Sequence, residues 1–145
     1  MRKKILLTGS NGNLAKEIIR SITDFEIIGF DIHSKNLNKV DLYYQLDLSN
    51  NSDIEKFCAK LEELELIPDI IINNAALDSV PSKDTNNSFW NIEKFSNFFN
   101  VNVKGPALLF TLISNYWVIN KIKGQVINIS SVYAKIAPDP NLYKE

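Results

Sequence analysis

An α/β fold built on a parallel sheet is what this sequence predicts, and three observations predict it. Apolar runs of strand length alternate with segments whose apolar residues recur at helical spacing. The first run ends in a glycine-rich turn that opens directly onto such a segment. The 145 residues, 45% hydrophobic and 23% charged, are enough for one domain to bury a core without metal or disulfide staples.

The elements follow in order. Lys4 to Thr8 is a short apolar run ended by Gly9, and Leu14, Ile18, Ile19 and Ile22 then fall on one helical face. Phe25 to Asp31 reads as a second strand and Asp41 to Leu46 as a third with looser alternation. Asn51 or Ser52 is the expected cap of the next helix, in which Ile54, Phe57, Cys58, Leu61 and Leu64 share an apolar face before Pro68 ends it. Asp69 to Asn73 is a buried strand that turns polar at its carboxyl end. Leu77 to Asn91, with Pro81 and the Asn86-Asn87 pair, reads as a long loop. Ile92 to Asn120 is apolar enough for one long helix, with an interruption expected near Gly105-Pro106. Gln125 to Ser130 is a fifth strand, and Pro138 and Pro140 mark irregular chain beyond it. No repeat, charge block or linker divides the sequence, so residues 1–145 are read as one domain.

Composition removes several function classes. Sixteen Lys plus Arg against seventeen Asp plus Glu leave a net charge of −1, so no global field recruits nucleic acid or an anionic membrane. One cysteine, Cys58, and one histidine, His33, leave a metal site almost without ligands. Cys58 reads as core, with a reactive thiol as the lesser alternative, because nothing near it in sequence would favour the thiolate. The apolar run after the basic start is only Ile5 to Leu7, too short for a signal peptide, and no stretch approaches the ~20 apolar residues of a membrane span. A cytoplasmic location is the expectation.

The chemistry starts at Thr8-Gly-Ser-Asn-Gly-Asn-Leu-Ala15. Between a strand and a helix, Gly9 allows a tight turn, Gly12 lets backbone amides approach a pyrophosphate, and the small Ala15 lets helix and strand pack closely. The helix N-terminus adds the positive end of its dipole. A plain strand-to-helix turn would look the same, whereas a Walker phosphate loop is excluded because no Gly-Lys-Ser/Thr follows. Asp31 closes the second strand 22 residues after Gly9, near the ~20-residue offset of a carboxylate that accepts hydrogen bonds from an adenosine ribose. Such a carboxylate repels a 2′-phosphate and so points to NAD over NADP, a preference that His33 and Lys35 could soften. The alternative for Asp31 is a helix-cap or turn residue.

Several further motifs stand in order: Asp47-Leu-Ser49, Asn73-Asn-Ala-Ala76, Asn102-Val-Lys-Gly105 and Asn128-Ile-Ser-Ser131. With the glycine turn, they make the whole chain resemble the short-chain dehydrogenases/reductases. Within that family, Asn73 to Pro81 and Ser130 to Tyr143 look most like bacterial members with surface-polysaccharide or flagellin-modification functions. The resemblance implies a Rossmann-type doubly wound sheet with strand order 3-2-1-4-5, truncated at its C-terminal end. It implies NAD as cofactor, a small, sugar-like substrate, and a homo-oligomer in the full-length form.

The resemblance also assigns residues. Gly9, Ser10, Asn11, Gly12, Asn13 and Leu14 at the turn, with Asp31 and Ile32, are assigned to the cofactor. Asp47 is placed beside the exocyclic amine of the adenine, with Leu48 as an apolar wall. Asn74, Ala75 and Ala76 would run past the cofactor ribose, while Asn73 ties strands together. Asn102 matches the asparagine that breaks helical hydrogen bonding to hold a water in a proton relay, and Ser131 the hydroxyl that binds a substrate carbonyl. Their plain alternatives are an N-cap for Asp47, a helix kink for Asn102 and a strand-end turn for Ser131.

Departures from the family pattern matter as much. The turn is spaced Gly-x-x-Gly-x-x-Ala, and Asn-Asn-Ala-Gly ends here in Ala76. The family's acid is a Tyr with a Lys four residues later, whose ammonium helps to lower the phenol from its ordinary value of about 10. Within the 145 residues no such pair occurs: Tyr133 is followed at that spacing by Ala137, and Tyr143 would need a position beyond Glu145. Tyr143 is therefore read as a loop or substrate-wall residue, with the family tyrosine as its alternative. The residues in hand are expected to be the cofactor-binding part of an oxidoreductase that does not turn over by itself. The rival reading is a non-catalytic dinucleotide-binding sensor or interaction module.

Overall fold

A computed structural model describes residues 2–78, 92–136 and Asp139. Along the chain run β1 (Lys4–Thr8), α1 (Asn13–Ser21), β2 (Glu26–Asp31), β3 (Leu42–Gln45), α2 (Asn51–Glu63) and β4 (Ile70–Asn73). They are followed by α3 (Ile92–Phe99), a π-helical segment (Asn100–Lys104), α4 (Gly105–Ile119), β5 (Gln125–Asn128) and a 3₁₀ turn (Val132–Ala134). The strands form one sheet in the order β3-β2-β1-β4-β5, and each pairing is parallel.

The burial explains why β1, β2 and β4 read as continuous apolar runs: helices cover the sheet on both faces, so neither face needs polar residues. Leu6, Ile28, Phe30 and Ile71 point to one face, where they pack with Ile54, Phe57, Cys58 and Leu61 of α2 and Leu109, Ile113 and Trp117 of α4. Ile5, Leu7, Ile27 and Ile72 point to the other and pack with Ala15 of α1 and Val40. Cys58 is a core residue, and burial pushes its thiol up to about 12.

Several boundaries differ from the expectation for identifiable reasons. The second and fourth expected strands begin at Phe25 and Asp69, but the ladder starts one residue later in each case. At β4 the Asp69 carboxylate takes the N–H of Lys4 (2.8 Å), ending the ladder with a side chain. Asp41 does the same at the start of β3, accepting from Ile27 N–H (2.7 Å). The cap of α2 is Asn50, in place of Asn51 or Ser52; its side chain accepts from Ser52 N–H (3.0 Å) and Asp53 N–H (3.4 Å). The fifth strand ends at Asn128, short of Ser130.

The interruption of the long helix is also displaced. It spans Asn100–Lys104, ahead of Gly105-Pro106. Pro106 lies in the first turn of α4, directly after the π-helical segment, where its missing N–H leaves the wide turn one intrahelical donor short. Gly105 is there for space, because a Cβ would collide with the carbonyl oxygen of Leu48. Of the expected loop Leu77 to Asn91, the irregular Leu77 and Asp78 are described and the remainder lies outside the described residues, as does Tyr143.

Candidate active site

β1 is where the sheet reverses its order, with β2 on one side and β4 on the other. The chain leaves β1 toward α1 on one face and leaves β4 toward α3 and α4 on the other. A crevice opens between these connections at the carboxyl edge of the sheet, the usual ligand position in open α/β sheets.

Gly9 and Ala75 meet in that crevice. Gly9 has φ +62°, and a Cβ on it would lie 2.8 Å from Ala75 Cα and 3.1 Å from Ala75 N. Gly12 N–H donates to the Gly9 carbonyl (3.0 Å) and closes the turn. Gly12 then serves as an extended N-cap of α1 that supplies no side-chain hydrogen bond. The first-turn amides are left to solvent or to an anion, and Gly12, Asn13 and Leu14 are exposed beside them.

Thr8 laces the two turns together, a role that sequence reading missed although the residue stands directly before Gly9. It is fully buried, and its Oγ1 accepts from Asn74 N–H (3.0 Å) and Ala75 N–H (2.9 Å). Asn74 Nδ2 returns hydrogen bonds to the carbonyls of Thr8 and Gly9 (both 3.0 Å). Thr8→Val should therefore leave two amides unpaired and lower stability by about 2 kcal/mol in urea melts, with Thr8→Ser close to wild type. Equal midpoints for Val and wild type would remove this role.

The end of β2 forms the second wall. Asp31 Oδ2 accepts from Asn11 N–H of the glycine turn (3.1 Å), and Oδ1 accepts from His33 N–H (3.2 Å) and lies 2.7 Å from His33 Nδ1. Asn11 reaches across with its side chain as well, donating to Lys35 O (2.8 Å) and Tyr43 Oη (3.0 Å) and accepting from Leu37 N–H (2.9 Å). Asn38 Nδ2 donates to the carbonyls of Ser10 (2.9 Å) and Gly12 (3.1 Å). Burial, reinforced by the Asp31 charge and opposed by the Asn11 hydrogen bond, raises the Tyr43 phenol above its ordinary value. Asn38 and Tyr43 carry no local signal in sequence; they meet the turn only because the β2–β3 connection folds over it. Ile32 is exposed next to Asp31.

Two of the expected cofactor contacts turn inward, which corrects the picture for their side chains. Ser10 is fully buried beneath the turn, its N–H given to Phe30 O (3.0 Å) and its Oγ close to Gly29, where a Cβ would sit 2.7 Å away. Leu48, 4% exposed, belongs to the main core, where it packs in place of forming an open apolar wall. Asp47 is half-buried at the end of β3, with Oδ1 accepting from Ser49 N–H (2.8 Å). From β4 the chain carries Asn74, Ala75 and the exposed Ala76 past Gly9. Asn73 ties strands as expected, donating from Nδ2 to Asn128 Oδ1 across β4 and β5 (2.7 Å).

Asn102 lies inside the π-helical segment, a wide turn frequent at functional sites. Its side chain accepts from Leu77 N–H (2.8 Å) and donates to Leu77 O (2.9 Å), fixing the helix to the chain that leaves β4. Ser131 is exposed at the head of the 3₁₀ turn, where its Oγ accepts from Tyr133 N–H (3.2 Å). Among the described residues no group of three or more His, Cys, Asp or Glu could hold a metal ion, and no helix is long and apolar enough to cross a membrane.

Sheet order, glycine turn and crevice together define a Rossmann-type doubly wound α/β protein. A short chain dehydrogenase family model matches residues 3–141, and the chain belongs to that family, one of oxidoreductases. It is 30% identical to L-xylulose reductase of Caenorhabditis elegans, over 96% of this chain and 57% of the relative. It is 28% identical to diacetyl reductase [(S)-acetoin forming] of Staphylococcus epidermidis, over 91% of this chain and 54% of the relative. The chain thus spans little more than half the length of either. Among solved structures, a short chain dehydrogenase from Leptospira borgpetersenii with bound NAD+ superposes with a TM-score of 0.83 at 26% identity, covering 98% of this chain and 56% of that one. 4-Hydroxyisoleucine dehydrogenase complexed with NADH gives 0.82 at 28%, covering 97% and 61%.

Proposed function

We propose that this chain is the cofactor-binding part of an NAD-dependent oxidoreductase acting on a carbonyl or alcohol carbon of a sugar-like substrate, of the kind met in surface-polysaccharide or flagellin modification. The observation that carries the cofactor reading is Asp31, whose carboxylate closes β2 within hydrogen-bonding distance of the glycine turn. When bound, the nicotinamide supplies or accepts the hydride. The chain's own work is to hold and orient. The uncapped start of α1 and Gly12 would take the pyrophosphate, Asp31 the adenosine ribose hydroxyls, Asp47 the adenine amine, and Asn74 to Ala76 the ribose on the other side. Ser131 Oγ already accepts a backbone hydrogen bond, which leaves its proton to donate to a substrate carbonyl oxygen. Asn102, in the π-helical segment, would hold a water of the proton relay. Relatives that reduce L-xylulose and diacetyl support a small carbonyl substrate, and the former supports a sugar.

Fluorescence titration with NADH and NADPH tests this reading. NADH should bind more tightly by about tenfold or more, which is about 1.4 kcal/mol, and Asp31→Ala should narrow the gap. A tenfold preference for NADPH in the wild type would overturn the role of Asp31.

Self-association is expected as well. Phe95, Phe99, Val103 and Phe110 are all between 43% and 56% exposed along α3 to α4, and β5 presents a sheet edge with Ile127 46% exposed. Open apolar surface and a strand that is unpaired on one side among the described residues favour pairing with a second copy. Sedimentation should show a mass above the 16.5 kDa of the chain, and a monodisperse monomer would contradict it.

A further inference from the structure

We infer that His33 and Asp31 together form a pH-dependent selector at the adenosine end of the site, rejecting a 2′-phosphate while the imidazole is neutral and tolerating it once the imidazole is protonated. The inference rests on the role given to Asp31 above. Histidine is the side chain that ordinarily changes charge between about pH 5 and 8. Here its Nδ1 sits 2.7 Å from the Oδ1 of the carboxylate that is to exclude the phosphate. The Asp31 side chain is 11% exposed and that of His33 72%, so the imidazole stands on the solvent side of the carboxylate and exchanges protons with water.

The loop that carries His33 is pinned, so protonation changes charge without moving backbone. Tyr43 Oη donates to the His33 carbonyl, Gln45 Nε2 donates to Ile32 O (3.0 Å), and Asn11 holds Lys35 and Leu37. The ionisable side chains on the elements that meet this loop, among the described residues, are the following. β2 begins with Glu26, at its far end, and ends in Asp31, β3 carries the Tyr43 and Tyr44 phenols, and the connecting loop carries Lys35, Lys39 and Asp41, whose carboxylate is taken by Ile27 N–H at the far end of β2; the glycine turn carries no charge. Tyrosine and lysine side chains do not ordinarily titrate between about pH 5 and 8. The Asp31–His33 pair therefore carries one negative charge when His33 is neutral and none when it is protonated.

The two cofactors should respond differently. A 2′-hydroxyl needs one acceptor, and Oδ2, which among the described residues takes one N–H, that of Asn11, keeps a lone pair for it in either state. A 2′-phosphate instead meets the net charge. Removing one unit of repulsion at about 6 Å in a part-solvated site is worth about 3- to 10-fold in affinity.

The test is the ratio of NADPH to NADH dissociation constants at about pH 5.5 and about pH 8, where histidine ordinarily differs in charge. Wild type and His33→Gln are compared, with thermal melts confirming that both are folded. The wild-type ratio should fall about 3- to 10-fold beyond any fall in His33→Gln, whose remaining change comes from protonation of the 2′-phosphate itself, with its second pKa near about 6. Equal pH dependence in the two proteins, or a flat wild-type ratio, overturns the selector while leaving NADH binding and the effect of Asp31→Ala intact. Loss of NADH binding at both pH values, or indifference to Asp31→Ala, overturns the underlying cofactor role and the selector with it.

Discussion

Gly9→Ala is expected to lower the unfolding free energy by about 3 kcal/mol and to weaken NADH binding at least about tenfold. Two separate costs add at this position. A residue with a Cβ is strained at φ +62°, and the added methyl would sit 2.8 Å from Ala75 Cα, a backbone atom that cannot rotate away. Relief requires the turn after β1 and the chain after β4 to separate. Such a separation would stretch the hydrogen bonds of Thr8 and Asn74 that set the width of the crevice. Urea melts and NADH titration of the same variant check both halves. A wild-type midpoint would mean that the turn is more forgiving than its contacts imply, and lost stability with unchanged NADH affinity would mean that crevice width does not govern binding.

Trp117→Ala is expected to cost about 4 kcal/mol of stability, while the variant, where folded, should bind NADH as the wild type does. Trp117 is 7% exposed and anchors the end of α4 to the main core. Its Nε1 donates to Pro68 O (2.6 Å), just ahead of β4, and a Cβ on Gly124 would lie 2.1 Å from its ring. Phe110 packs edge-on against it, with centroids 6.4 Å apart. Pro68 and Gly124 stand just ahead of β4 and β5, toward the amino ends of the strands and away from the crevice, so the loss should be one of packing and of that hydrogen bond, with the site untouched. Trp117→Phe should fall between the two, keeping most of the apolar contact and losing the hydrogen bond. An unchanged melt for Trp117→Ala would contradict the packing account, and a selective loss of NADH binding would mean that this end of α4 communicates with the site.

The sequence by itself determined the strands that run through the middle of the sheet, because a strand covered on both faces is apolar along its covered length and so stands out as an unbroken run. Ile5 to Leu7, Ile27 to Phe30 and Ile70 to Ile72 are legible for that reason. It also determined the glycine turn, since Gly9 answers a local backbone demand, and the pairing of Asp31 with that turn, because two strand ends joined by one helix fall at a nearly fixed offset. The order of the strands and the tie that Asn73 makes to Asn128 became readable through resemblance, since no periodicity records which strand lies beside which.

Tertiary structure alone decided how the site is held. Thr8 with Asn74 and Ala75, Asn11 with Tyr43, Asn38 with Ser10 and Asn102 with Leu77 are joined across 25 to 67 residues of chain. It also turned Ser10 and Leu48 inward and moved the helix break to Asn100–Lys104. The physical reason is that apolar burial repeats with the period of the element and so leaves a pattern in the sequence. A side-chain hydrogen bond between two loops depends on where their strands happen to end, and it leaves none.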